Sequence, residues 1–176
     1  AKAADVTFSG QIRPRYEINE QGTNTSNNFD NASDAGDFTA TRVKLNANVN
    51  VNDSTSAFIQ LQSARTWGGA NGSFTASDAD ASVGLHQAYF TLKNFATLPV
   101  DLKLGRQEVV LDGHRLFGNT GWTTGAQTHD ALRLDHKHDN MSFAYAWIIA
   151  TEDGTPGNTS SGVSLDNEIE AHLAYF

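Results

Sequence analysis

Residues 42–52 read Arg42-Val43-Lys44-Leu45-Asn46-Ala47-Asn48-Val49-Asn50-Val51-Asn52. Val43, Leu45, Ala47, Val49 and Val51 fall on one side, and Arg42, Lys44, Asn46, Asn48, Asn50 and Asn52 on the other. A two-residue period of this cleanness predicts a β-strand with one apolar and one hydrated face. Asn52-Asp53-Ser54 supplies turn chemistry, and a further strand follows with Ala57, Ile59 and Leu61 opposite Gln60 and Gln62. Upstream, the segment Val6 to Glu20 alternates in the same way. Val6, Phe8, Gly10, Ile12, Pro14, Tyr16 and Ile18 oppose Thr7, Ser9, Gln11, Arg13, Arg15 and Glu17.

Five more segments continue the pattern: His86 to Asn94, Val100 to Val109, His129 to Lys137, Met141 to Thr151 and Glu168 to Phe176. No stretch carries a helical period. Long polar connections (21–36, 68–82, 110–127, 152–167) alternate with short ones (52–54, 94–99, 137–140). That parity predicts an all-β, antiparallel up-and-down transmembrane β-barrel of about eight strands, with long extracellular loops and short periplasmic turns. The span 1–176 reads as a single barrel domain or the N-terminal part of one. Tyr16, Trp67, Tyr145, Trp147 and Tyr175 lie on or beside the expected apolar face, as interfacial aromatic girdles require. The competing reading makes them core aromatics of a soluble sheet.

Composition narrows the function classes. Twelve Lys and Arg against 20 Asp and Glu give a net charge of -8, which disfavours binding to nucleic acid phosphates. The absence of cysteine removes disulfide scaffolds, thiolate metal sites and a cysteine nucleophile. No apolar run approaches the roughly 18 residues of a membrane-spanning helix, whereas alternating barrel strands leave the overall hydropathy negative. The start Ala1-Lys2-Ala3-Ala4 fits either a mature terminus after signal cleavage or the start of a cloned fragment. No G-x-S-x-G elbow, H-E-x-x-H helix, P-loop or dinucleotide fingerprint is present, so an enzyme is not expected and no cofactor is implied.

Eight strands is the smallest number that closes a membrane barrel. Two features point instead to a wall segment of a larger one. Phe176 falls out of phase with the apolar set Ile169, Ala171, Leu173 and Tyr175, and Pro14 suits an edge strand because it cannot donate to a ladder.

The segment Leu104-Gly105-Arg106-Gln107-Glu108, followed by Asp112, Arg115-Leu116, Gly118, Trp122 and His129-Asp130-Ala131-Leu132-Arg133-Leu134, resembles the alginate-export family of outer-membrane porins. Gln11-Ile12-Arg13-Pro14-Arg15-Tyr16-Glu17 and Gln60-Leu61-Gln62-Ser63-Ala64-Arg65-Thr66-Trp67-Gly68 are similar to the same family. His129 stands where that family usually has Phe. The resemblance implies a larger barrel, of which this chain supplies part of the wall, and a role in passage of anionic or polar solutes, including uronate-type polysaccharide. Gly105, Arg106, Gln107, Arg115, Trp122 and Asp130 form the structural motif that carries it.

A channel acts through the groups that line its lumen. Parity places Arg13, Arg15, Arg42, Lys44, Lys93, Lys103 and Arg133 inward, with Gln60 and Gln62, against Glu17, Asp101, Asp135, Glu168 and Glu170. A cationic belt inside an acidic exterior is therefore expected, with guanidinium forks suited to carboxylates. Arg106, Asp130, His86 and Arg65 have the parity of the apolar face. The first two are expected to pair across strands, or Arg106 to be turned inward by a bulge, and the last two to mark the outer interface. The acidic stretch Thr23 to Asp37 and the run His136-Lys137-His138-Asp139 invite metal readings. Neither spacing matches a known site, so no metal is assigned. Expected partners are outer-membrane lipid, lipopolysaccharide and the permeating solute. Two alternatives remain: a small filled outer-membrane barrel acting as an anchor or adhesion module, and a soluble lipocalin-like ligand-binding barrel.

Overall fold

A computed structural model describes residues 4–19, 36–68, 83–115, 117–151 and 169–176. Eight strands follow one another in the chain: β1 (Asp5–Asn19), β2 (Gly36–Asn50), β3 (Thr55–Thr66), β4 (Gly84–Leu92), β5 (Asp101–Gln107), β6 (His129–His138), β7 (Met141–Thr151) and β8 (Ile169–Tyr175). They form one sheet in the order β1 to β8, every neighbouring pair antiparallel. Among the described residues β1 and β8 do not pair with each other, so the sheet is open, as a segment of a larger barrel wall is. There is no α-helix among the described residues, and no helix is long and apolar enough to cross a membrane.

The short connections are built by their turn residues. Asn52 Oδ1 accepts from the backbone N–H and the hydroxyl of Ser54 at 2.9 and 3.0 Å, the local bonding that makes Asn a turn former. Asn94 and Asp139 adopt left-handed backbone at φ 52° and 49°, a region these residue types tolerate. Of the long connections, 20–35, 69–82 and 152–168 lie outside the described residues, and with them most of the acidic stretch Thr23 to Asp37, to which no metal is assigned, and the face of Glu168. The fourth, residues 108–128, is described except for residue 116. It folds back over one face of the sheet, hereafter the inner face.

The two faces divide as the alternation requires. On the outer face Ile12 is 76% exposed, Phe8 72% and Leu45 53%, whereas inward Arg42 is only 6% exposed. A soluble sheet would invert this arrangement. An apolar face without a covering protein layer is what an acyl-chain environment accepts.

One register shift re-aims a side chain that parity misplaces. Gln60 pairs with Gln87 but Leu61 with Leu85, leaving His86 as the extra residue of a β-bulge. His86 and Gln87 consequently both reach the inner side, and His86 is buried rather than marking the outer interface as expected. The second correction concerns β8. Ala171 pairs with Ile148, Leu173 with Ala146 and Tyr175 with Ala144, which puts these three inward. Glu170 and His172 share the outer face with Trp147 and Tyr145, and Phe176 meets Phe143 there with ring centroids 5.2 Å apart. The expected faces of β8 are thus reversed. Here the inner residues of β7 are themselves apolar, so hydrophobicity no longer distinguishes the two sides.

Candidate functional site: the inner face and its crossing loop

The loop begins from an anchored end. Gln107, fully buried, donates its amide to the carbonyls of Ala131 at 3.0 Å and Gly105 at 3.2 Å. Gly105 has φ +125°, and a Cβ there would stand 2.3 Å from the Ala88 carbonyl oxygen. Only glycine therefore fits where the strand passes its neighbour so closely. Val109 next packs with Ala131, Ala146 and Ile148, flanked by Phe117 and Leu173. Leu111 and Phe117 form an isolated bridge around a 3₁₀ turn at Asp112–His114. The remainder curls into a lobe: Asn119 Oδ1 accepts from the Gly121 N–H at 3.1 Å, and the Asn119 carbonyl from the Gln127 N–H at 2.8 Å.

The lobe presents its backbone carbonyls to the arginines of β1 and β2. Arg13 donates to Gly121 O at 2.7 Å and also to Thr123 O. Arg42 reaches Gly121 O at 3.2 Å and Gln11 Oε1 at 3.3 Å. Arg15 bonds Trp122 O, pairs with Glu17, and lies between the rings of Phe38 and Trp122, 5.7 and 5.6 Å from their centroids. Gln62 adds a bond to Gly125 O at 3.4 Å. Three of the expected belt cations are therefore engaged by neutral loop carbonyls, with Glu17 as the acid beside Arg15. The Nε atoms of Arg13 and Arg42 are buried without a partner.

Glu108 fastens the other side of the loop. Its carboxylate accepts from Lys44 Nζ and His86 Nε2, both at 3.0 Å, and from Asn119 Nδ2 at 2.6 Å. Its own N–H donates to Gln87 Oε1 at 3.0 Å. From Gln87 a side-chain ladder runs through Gln60 and Asn46 to Ser9 on β1. Burial alone would raise the Glu108 pKa, but the hydrogen bonds from Asn119, Lys44 and His86 outweigh it and hold the carboxyl below its usual range. Glu108 was absent from the sequence-derived lining. The signal available was an acid directly after a strand whose inward positions include Lys103 and Gln107.

The other expected residues distribute as follows. Lys103 projects inward with its ammonium 4.4 Å from the Tyr89 ring centroid, and Arg133 is bonded to Asp135 at 2.7 and 2.9 Å. Lys93 lies in the turn beyond β4. Arg106 and Asp130 face each other across β5 and β6 and form a two-bond ion pair at 2.7 and 2.9 Å on the outer face. Arg65 is on the outer face opposite Thr41. Arg115 is exposed on the crossing loop, and Trp122 is 70% exposed at its tip. His136 bonds the Pro99 carbonyl and His138 pairs with Asp139. Among the described residues no cluster of three or more His, Asp or Glu could hold a metal ion.

An all-β up-and-down sheet with an exposed apolar face and a polar face crossed by a loop has the architecture of an outer-membrane β-barrel wall. The alginate export family's sequence profile matches residues 4–152, and the chain belongs to that family, a family of outer-membrane transport proteins rather than catalysts. No curated protein and no solved structure matches the chain.

Proposed function

We propose that the inner face forms part of the lining of an outer-membrane channel for anionic or polar solutes, uronate-type polysaccharide among them. The long connections then lie outside the cell and the short turns in the periplasm. The observation that supports this reading most directly is the gathering of Arg13, Arg15, Arg42 and Lys44 on two adjacent strands, opposite an exposed apolar face. Guanidiniums aimed into a water-filled, low-dielectric-walled passage raise the local concentration of anions. The crossing loop narrows that passage, and its lobe occupies the arginine donors with backbone carbonyls until a solute carboxylate, a stronger acceptor, competes for them. Gln60, Gln62, Lys103 and Arg133 extend the polar path along the same face.

The test is ion selectivity of the full-length protein in a planar bilayer. An anion-selective reversal potential is expected, moving toward cation selectivity in the triple variant Arg13→Glu, Arg15→Glu, Arg42→Glu. A folded protein that conducts nothing would favour the anchor or adhesion module and sink the channel reading.

A further inference from the structure

The tip of the crossing loop carries more than is needed to dock it. Docking uses backbone carbonyls of Gly121, Trp122, Thr123 and Gly125, so the side chains there are not consumed by it. Trp122 lays its indole against the Arg15 guanidinium and still leaves 70% of the residue exposed. Beside it opens a cleft of about 570 Å³ lined by His114, Gly118, Asn119, Thr120, Gly121, Trp122 and Gln127. That volume is of the order that accepts a small ligand. Asn119 is committed within the loop. The imidazole of His114, the hydroxyl of Thr120, the amide of Gln127 and the indole N–H of Trp122 bond no other described residue. Gly118 lies close against His114: a Cβ there would meet the ring nitrogen at 2.8 Å.

We infer that this cleft is a pyranose subsite for an acidic polysaccharide, with Trp122 as the stacking platform and Gln127, His114 and Thr120 as hydroxyl partners. An exposed indole offers a flat apolar surface to the C–H face of a sugar ring, while amide, imidazole and hydroxyl groups both donate and accept toward its alcohols. The cleft lining contains no carboxylate. Arg13, Arg15 and Arg42 stand behind Gly121 and Trp122; the Glu108 carboxylate behind Asn119 is matched by Lys44 and Glu17 is matched by Arg15, so the net field left by Arg13 and Arg42 favours a carboxylated ring over a neutral one. The guanidinium under the indole also fixes the ring's plane, which prepares the platform before the sugar arrives. The inference deepens the channel reading and rests on it for the polysaccharide class.

Tryptophan emission of the full chain in detergent reads the site without requiring conduction. Titration with an oligouronate of four to six sugar units, roughly the span a cleft and its flank can hold, should change the emission saturably. By calorimetry, Trp122→Ala should weaken oligouronate affinity about tenfold or abolish it, and Trp122→Phe, which keeps a ring, should retain most of it. Because Trp122→Ala also removes the stack on Arg15, Gln127→Ala serves as the second variant: it touches no docking bond and should weaken binding several-fold. Unchanged oligouronate affinity in both Trp122→Ala and Gln127→Ala overturns the subsite, and equal affinity for a neutral oligosaccharide of the same length overturns its acidic class. A channel that conducts normally with no such binding loses only the subsite. Oligouronate binding without conduction retains the subsite and removes the channel.

Discussion

The two walls that hold the crossing loop are made of opposite materials. On β1–β3 the inner face carries arginine, lysine, glutamine and asparagine, and it grips the loop's tip through hydrogen bonds from Arg13, Arg42 and Gln62 to carbonyls. On β6–β8 the part of the inner face beside the loop's root is Ala131, Ala146, Ile148 and Leu173, and it grips that root through Val109 and Phe117. The contrast shows that one face of one sheet holds the loop in two ways: a dry wall locates its root, and a polar wall binds its tip.

The largest expected effect lies at the seam between the walls. Gly105→Ala forces a Cβ against the Ala88 carbonyl in left-handed backbone and should cost about 3 kcal/mol or more, read as loss of the folded, heat-resistant band on electrophoresis. Glu108→Gln removes the charge shared by Lys44 and His86. It should loosen the tip by about 2 kcal/mol, seen as faster amide exchange in residues 119–127 while the dry root stays protected. If root and tip loosen together, the two walls are not separable.

Acidification probes the same contact without mutation. The Glu108 carboxyl has a lowered pKa in the folded protein, so its contribution is present above the usual glutamate value and is lost as pH falls through the folded value beneath it. Exchange at the tip should therefore stay slow through the ordinary glutamate range and rise only on further acidification. The reverse order of transitions would mean that the carboxylate is not held by Lys44, His86 and Asn119.

Val109→Ala acts on the dry wall alone. It should cost about 1.5 kcal/mol and free the root, leaving ion selectivity nearer to the parent than the arginine variants do. The smallest effect is expected away from both walls. Arg106→Gln breaks an exposed ion pair and should change detergent stability by less than about 1 kcal/mol.

The same contrast explains which parts of the molecule could be read from the residues. On β1–β3 polar inner and apolar outer side chains alternate, so strand limits, turns and faces all follow from the two-residue period. On β7 and β8 that difference disappears, because Ala144, Ala146 and Ile148 point inward while Trp147, Glu170 and His172 share the other side. A period of two then specifies a strand but not its direction, and β8 was assigned the wrong way round. His86 failed for a different reason. A single inserted residue reverses parity from that point on, and nothing local in Gly84-Leu85-His86-Gln87 announces it. The crossing loop was legible as a long polar connection between β5 and β6. Its return onto β1 and β2 was not, since contacts more than a hundred residues apart, such as Arg13 with Thr123, leave no periodic trace.

Because segment 108–128 is fastened at its root beside β6 and at its tip on β1 and β2, it lies as a chord beneath the arc of the intervening strands. In the proposed channel the calibre of the passage would be tied to the length of that chord. A wider wall would tear the tip from its guanidiniums, and extra residues between Phe117 and Asn119 would give slack and leave the curvature of β1–β6 without its brace.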